Sequence, residues 1–146
     1  MQPYHIYDDG SWAHKRIDHD RLTRTYVFKT LIESGANLTF GSDWTVAPLN
    51  PVTGIYAAVT RRTRDGKNPN GWYPSEKISV EDALRSYTIN NAYAAFWENK
   101  TGSITIGKYA DFTVHSVNIL TAAPDEFLNS TVLRTVVAGK DYIFEK

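Results

Sequence analysis

The run from Leu31 to Asp43, LIESGANLTFGSD, constrains the fold more than any other part of the sequence. It reads as the end of an apolar-faced helix, a glycine, a short apolar segment, and then Gly41-Ser42-Asp43. Upstream, Leu22, Tyr26, Leu31 and Ile32 form a stripe at helical spacing, with Val27 and Phe28 beside them, which predicts one helix over Arg21 to Ser34. Gly35 stands where helices commonly end in the left-handed conformation. Asn37 to Phe40 then reads as a strand, with Gly41 freeing the backbone to turn at its mouth. Helix, glycine turn, strand and polar loop in that order is the rhythm of an α/β barrel or a doubly wound sheet. In a barrel the strand ends carry the active site, which makes Asp43 the first candidate functional residue.

A carboxylate there can ligate a divalent metal or take a proton from an attacking water. The plain structural alternative is an Asp whose side chain caps the following loop. Three histidines precede it, His5, His14 and His19, at spacings that match no recognised ligand pattern, and His-Glu-x-x-His is missing. His14 and His19 read as surface residues. His5, after Gln2-Pro3, reads as a residue at the end of an extended segment that lines a site. His115 falls among strand-forming residues and reads as structural. Trp44, Trp72 and Tyr73 sit in loop sequence and suit either an aromatic wall or packing plugs. Arg61-Arg62-Thr63-Arg64 reads as a solvated helix end, favoured by the helix dipole, with anion binding as the alternative.

The rest of the chain continues the pattern. Residues 1 to about 20 look irregular and polar. A helix is expected over Val52 to Arg62, a polar loop over Thr63 to Pro74, and a helix from an N-cap at Ser79 with Asp82 three residues on. Ala92 to Trp97 reads as a further helical turn or two. From Gly102 to His115 the sequence is rich in Ile, Thr, Tyr, Phe and Val, as strands are. Thr131 to Phe144 reads as a hairpin, Val132 to Val137 and Tyr142 to Phe144 about a turn at Ala138-Gly139-Lys140-Asp141. A boundary therefore falls near residue 100, with an α/β part over 1–100 and a small β unit over 101–146.

Composition narrows the function classes. The 146 residues carry 16 basic and 16 acidic side chains, so no net field favours nucleic acid or an anionic membrane. No cysteine is present, which removes thiolate chemistry and disulfides. No apolar run approaches a membrane span, and Met1 to His5 lacks the features of a signal peptide, so a cytoplasmic protein is expected. The sequons at Asn37, Asn99 and Asn129 read as chance on that basis. Neither a P-loop, a Gly-x-Gly-x-x-Gly nor a Gly-x-Ser-x-Gly elbow occurs.

Five blocks in order carry a resemblance: Met1 to His5 (MQPYH), Leu31 to Asp43, Pro51 to Arg62 (PVTGIYAAVTRR), Ile78 to Asn90 (ISVEDALRSYTIN) and Gly102 to Val114 (GSITIGKYADFTV). Together they resemble the C-terminal part of the metal-dependent amidohydrolases, in the branch called amidohydrolase family 3. The resemblance implies the last strands and helices of a (β/α)8 barrel followed by part of a small β-sandwich. It implies a divalent metal, often zinc, and hydrolysis of C–N bonds in small amide-type substrates. Asp43 matches the Asp after the last barrel strand, which contacts the metal, accepts a proton from water and passes it to the leaving nitrogen. His5 matches a substrate-facing position after the preceding strand, and Arg61 matches an Arg of the following helix whose role is open. Trp44, next to Asp43 in sequence, is the loop aromatic expected to bind substrate.

The family's remaining metal ligands, a His-x-His, a bridging carboxylate or modified lysine and two later histidines, lie upstream of the matched stretch. The expectation is thus a C-terminal portion that binds metal weakly and is inactive alone, and that self-associates or joins the remainder of a parent chain. The alternative is a non-catalytic assembly or ligand-binding domain that retains the same terminal architecture.

Overall fold

A computed structural model describes residues 1–143. Helices dominate the first two thirds. After Pro3 come α1 (Tyr4–Asp9), a 3-10 turn at Ala13–Lys15, and α2 (His19–Leu22), whose N-cap Asp18 accepts a hydrogen bond from the Arg21 amide at 3.0 Å. The N-terminal residues are thus helical rather than irregular. The helix expected over Arg21 to Ser34 is interrupted, and only α3 (Phe28–Glu33) lies in its second half. Tyr26 breaks it at a left-handed φ of 55°. The Thr23 and Thr25 hydroxyls donate back to the carbonyls of Asp20 and Arg21 across the break. Tertiary bonds decide the matter: the Tyr26 hydroxyl donates to the Asp9 carboxylate at 2.5 Å, and its carbonyl accepts from Arg61 Nη1 at 2.7 Å.

α3 ends as its sequence predicts. Gly35, at φ 87°, donates to Ile32 O while Ala36 donates to Leu31 O, the paired bonds of a Schellman motif. Asn37 to Phe40 then runs without helix or sheet assignment. One edge meets Met1, whose amino group donates to Thr39 O and whose carbonyl accepts from Gly41 N at 3.1 Å, the bonding of a parallel pair with Met1 opposite Phe40. The other edge is closed by side chains. Asn90 and Asn91 donate to the carbonyls of Leu38 and Phe40, each at 2.8 Å, and Phe40 N donates to Ser86 O. The expected strand is therefore extended, but helix-borne amides and one residue of parallel pairing take the place of a ladder.

α4 (Pro51–Thr60) has a cap at Asn50, which accepts from Val52 N at 3.0 Å, with Pro51 in the first turn where a missing amide costs nothing. It ends at Arg61 in the left-handed conformation. A 3-10 turn at Pro74–Glu76 leads to α5 (Val80–Tyr87), capped by Ser79 through the Asp82 amide as anticipated. α6 covers Ile89–Ala94 rather than Ala92 to Trp97. Only the end of the Gly102–His115 stretch forms a strand, β1 (Phe112–His115); α7 (Pro124–Leu128), unforeseen, precedes β2 (Val132–Val137) and β3 (Lys140–Ile143). The sheet is antiparallel in the order β1-β2-β3. The β2–β3 turn is the two residues Ala138 and Gly139, both at positive φ as a type I′ turn requires, so Lys140 and Asp141 belong to the strand. Phe144, assigned to the hairpin from sequence, lies outside the described residues.

The core gathers Ile6 from α1, Phe28 from α3, Phe40 from the extended segment, Ile55 and Tyr56 from α4, Trp72, Ala83 and Phe127. Rings meet at steep angles along it, Phe28 and Phe40 tilted at 5.0 Å and Phe40 and Tyr87 edge-to-face at 5.5 Å between centroids. This core seats the extended segment, and with it the backbone leading to Asp43.

Candidate active site

Phe40 is buried and held on both edges, so the three residues after it start from a fixed point. Gly41 is not the turning residue. It has ordinary φ, and a Cβ there would meet nothing within 4 Å. The turn falls on Asp43, at φ 58° in the left-handed region that Asp tolerates better than most residues. The Asp43 carbonyl accepts from Val46 N at 2.7 Å, which closes the loop with backbone alone. Its carboxylate caps nothing: among the described residues it accepts no hydrogen bond. The loop-cap explanation therefore lacks the bond that defines it.

His5 comes to the same place from α1. Its Nε2 lies 3.7 Å from Asp43 Oδ2, beyond hydrogen-bond range, and is buried without a partner among the described residues. The Asp43 side chain is 48 % exposed and that of His5 22 %, so the pair faces a solvent-open mouth. His5 sits on a helix and not at a strand end, yet the Met1–Phe40 pairing delivers α1 beside Asp43. Trp44, 65 % exposed, follows in the loop, and its peptide bond to Thr45 is cis. His14 and His19 are exposed and stand apart from this pair. His115 Nδ1 lies 3.2 Å from the Ser130 hydroxyl, and burial holds its pKa below the ordinary histidine value.

Two donors do not make a metal site. Among the described residues no cluster of three His, Cys, Asp or Glu side chains could hold an ion. The His5–Asp43 separation falls within the span of about 4 Å that two ligands of one zinc ion can have. The residues present thus fit a part of a site and not a whole one, and the orphaned His5 Nε2 is the observation that marks the gap.

Arg61 corrects the reading of the basic cluster. It is fully buried, with Nε donating to Trp72 O and Nη1 to Tyr26 O, both at 2.7 Å. Its guanidinium carbon stands 5.9 Å from the Phe28 ring centroid and 5.7 Å from that of Trp72. Burial lowers its pKa to about 10, and the neighbouring Glu76 carboxylate opposes that shift. Arg61 is an internal pin, and Trp72 is a buried plug rather than the wall of a site. Arg62 and Arg64 keep the solvated character expected of the cluster, paired with Asp125 at 2.8 Å and with Asp8 at 3.6 Å. Sequence reasoning passed over Asn90 and Asn91 as site-building residues, although both stand beside the helix cap at Thr88; neither position carries a charge or a ligand pattern to flag it.

Comparison with known proteins shows the chain's family. The model of the family described as "Amidohydrolase family" matches residues 1–141. Over 144 residues the chain is 40% identical to Protein LONG AFTER FAR-RED 3 of Arabidopsis thaliana, covering 96% of this chain and 24% of that protein. It is 32% identical to the putative amidohydrolase YtcJ of Bacillus subtilis, over 100% of this chain and 27% of that one. The N-substituted formamide deformylase of Arthrobacter pascens is 30% identical over 88% of this chain and 22% of its own length. A crystal structure of an uncharacterized metal-dependent hydrolase from Pyrococcus horikoshii superposes with a TM-score of 0.72 at 27% identity, covering 86% of this chain and 25% of that one. The chain spans about a quarter of the length of the curated relatives it matches. On the family match over nearly all of its length, the chain belongs to the amidohydrolase family.

Proposed function

We propose that this chain is the C-terminal portion of a metal-dependent hydrolase of C–N bonds, and that Asp43 is its contribution to catalysis. The observation that carries the reading is the Asp43 carboxylate, free of any capping bond and facing a buried, partnerless His5 Nε2. In this reading residues 1–100 are the end of a (β/α)8 barrel and residues 101–146 part of a β-sandwich. Asp43 and a divalent metal, zinc as the resemblance to the family implies, belong to one site whose other ligands come from outside this chain. When bound, the metal supplies Lewis-acid polarisation of the amide.

The chain's own residues supply the proton handling. The Asp43 carboxylate accepts the proton of the attacking water and returns it to the leaving nitrogen. His5, beside Asp43, faces the substrate and hydrogen-bonds its polar end, which gives the orphaned Nε2 a partner. Trp44 supplies an exposed aromatic face to the substrate's apolar part. The formamide deformylase relative makes a small N-substituted amide the natural first substrate to try.

The test is a chimera in which this chain replaces the matching quarter of the Bacillus subtilis relative. Metal-dependent hydrolysis of an N-substituted formamide is expected, and Asp43→Asn should cut kcat by about 100- to 10,000-fold. An Asp43→Asn chimera as active as its parent would leave Asp43 a loop residue and favour a non-catalytic assembly domain. Zinc titrated into the 146-residue chain alone should bind weakly; tight binding with turnover would contradict the partial site.

A further inference from the structure

Among the described residues no hydrogen bond fastens the Asp43 carboxylate, so its position follows from its backbone. Downstream that backbone closes on itself, with the Asp43 carbonyl accepting from Val46 N at 2.7 Å and from Ala47 N at 3.3 Å. Upstream, Gly41 N donates to Met1 O at 3.1 Å and the Phe40 carbonyl accepts from Asn91 Nδ2 at 2.8 Å. Of these bonds the last is made by a side chain. It reaches the last buried residue before Asp43, three positions away.

Carbonyls two residues apart in an extended segment point to one edge. Asn90 and Asn91, neighbours on α6, divide that edge between them, Asn90 Nδ2 taking Leu38 O and Asn91 Nδ2 taking Phe40 O, both at 2.8 Å. α6 is itself held from behind. Gly102, at φ 85°, lies so close that a Cβ there would stand 2.7 Å from Ala92 Cβ. Asn91 Nδ2 also reaches Tyr87 O at 3.3 Å, and the Tyr87 ring meets that of Phe40 edge-to-face. One amide therefore ties the end of α5, the start of α6 and the root of the Asp43 loop together. The two asparagines make bonds of equal length and differ in where they act: Leu38 stands five residues from Asp43, Phe40 three.

We infer that Asn91 is a positioning residue for the hydrolysis, setting where the Asp43 carboxylate stands, whereas Asn90 serves the fold alone. The inference rests on the reading of Asp43 as the catalytic carboxylate. The reason is leverage. Without its donor the Phe40 carbonyl frees Gly41 to Asp43 to pivot, and Gly41 has no side chain to resist. A proton-transfer group must stand within hydrogen-bond reach of the atom it serves, and a displacement of about 1 Å can cost about 100-fold in rate. Loss of the donor to Leu38 O leaves Phe40 fastened by Asn91 and by its own amide, which donates to Ser86 O at 2.9 Å. That disturbance stops short of Asp43.

The experiment compares Asn91→Leu with Asn90→Leu, since leucine fills the space of asparagine without its donor. In the chimera with the Bacillus subtilis relative, Asn91→Leu should lower kcat on an N-substituted formamide by about 10- to 100-fold, with KM within about 3-fold. Asn90→Leu should lower kcat by less than about 3-fold. Hydrogen exchange of the 146-residue chain itself supplies a readout that involves neither metal nor turnover. The Val46 and Ala47 amides, which close on Asp43 O, should lose more protection in Asn91→Leu than in Asn90→Leu, with α4 unchanged in both. Asn91→Ala is the second variant should leucine prevent folding, and the same pattern is expected of it. If either readout treats the two asparagines alike, or the loss falls on KM alone, Asn91 is a residue of the fold and the inference is overturned. The reading beneath it fails separately: an Asp43→Asn chimera as active as its parent removes both, whereas an inactive one beside unaffected Asn91 variants removes the inference alone.

Discussion

Arg61 shows how far a single side chain can depart from its local sequence. In Arg61-Arg62-Thr63-Arg64 nothing distinguishes the first arginine from a solvated helix end, because the groups that bury it, Tyr26 and Trp72, are remote in sequence. Its removal strips donors from two carbonyls, one buried with Trp72, and leaves a cavity between Phe28 and Trp72. Arg61→Ala should therefore cost about 3–5 kcal/mol, read as a lower urea midpoint at unchanged slope. Arg61→Lys should recover only part of that, since one ammonium cannot reproduce the planar fork that reaches both carbonyls. The tyrosines set a second limit on stability. Burial raises the Tyr87 pKa to about 12, and burial together with the Asp9 carboxylate raises that of Tyr26. Both phenols are thus harder to ionise folded than unfolded. Their contribution is whole below about pH 10, the unfolded value, and is lost as pH rises through the folded values. Thermal melts between neutrality and pH 12 should show a falling midpoint that begins near pH 10, and Tyr87→Phe should make the fall shallower.

At the scale of elements, legibility followed the distance over which each signal acts. α5 was readable because its cap is local: Ser79 was expected to open it and does. α4 was expected from its apolar residues over Val52 to Arg62, and the Asn50 cap and Pro51 that open it in the structure went unread. Gly35 likewise closes α3 through bonds to its own last turn. The Arg21–Ser34 helix was misread because Tyr26 is diverted by Asp9 and Arg61, neither of which its own window contains. The segment leading to Asp43 was legible as extended but not as held by asparagines, since an amide that bonds a distant carbonyl leaves no periodic trace. α4 also carries a glycine that propensity alone would replace. Ala at Gly54 would favour the helix by about 1 kcal/mol, but its Cβ would stand 2.0 Å from the Tyr87 hydroxyl oxygen. Gly54→Ala is therefore expected to lower stability by about 1–3 kcal/mol. In a double-mutant cycle Tyr87→Phe should return part of the loss by removing the nearest clashing atom, and strictly additive single effects would show that the contact between α4 and α5 is not the cause.

Across the whole molecule the helical part and the sheet are joined chiefly through α7, with Ile119 and Val117 just ahead of it in the same core. In α7, Phe127 is fully buried with its ring 6.3 Å from that of Tyr56 on α4, and Asp125 receives both Arg62 and the Tyr56 hydroxyl. The ion pair is exposed and contributes little on its own, so the apolar anchor carries the coupling. Beyond α7 the sheet meets the helices across the open cleft, where few buried residues link the two. Phe127→Ala should consequently cost about 3–5 kcal/mol and, more tellingly, divide the unfolding transition. Native-state hydrogen exchange is the measurement. Amides of β1, β2 and β3 are expected to lose protection while those of α4 and α5 keep theirs, because α4 retains its packing against α1 and α5 when α7 lets go. Uniform loss across both parts would mean that the sheet is tied into the core by more than α7. Arg62→Ala provides the internal comparison: it removes the ion pair but leaves Phe127 seated, and should shift neither pattern by more than about 1 kcal/mol.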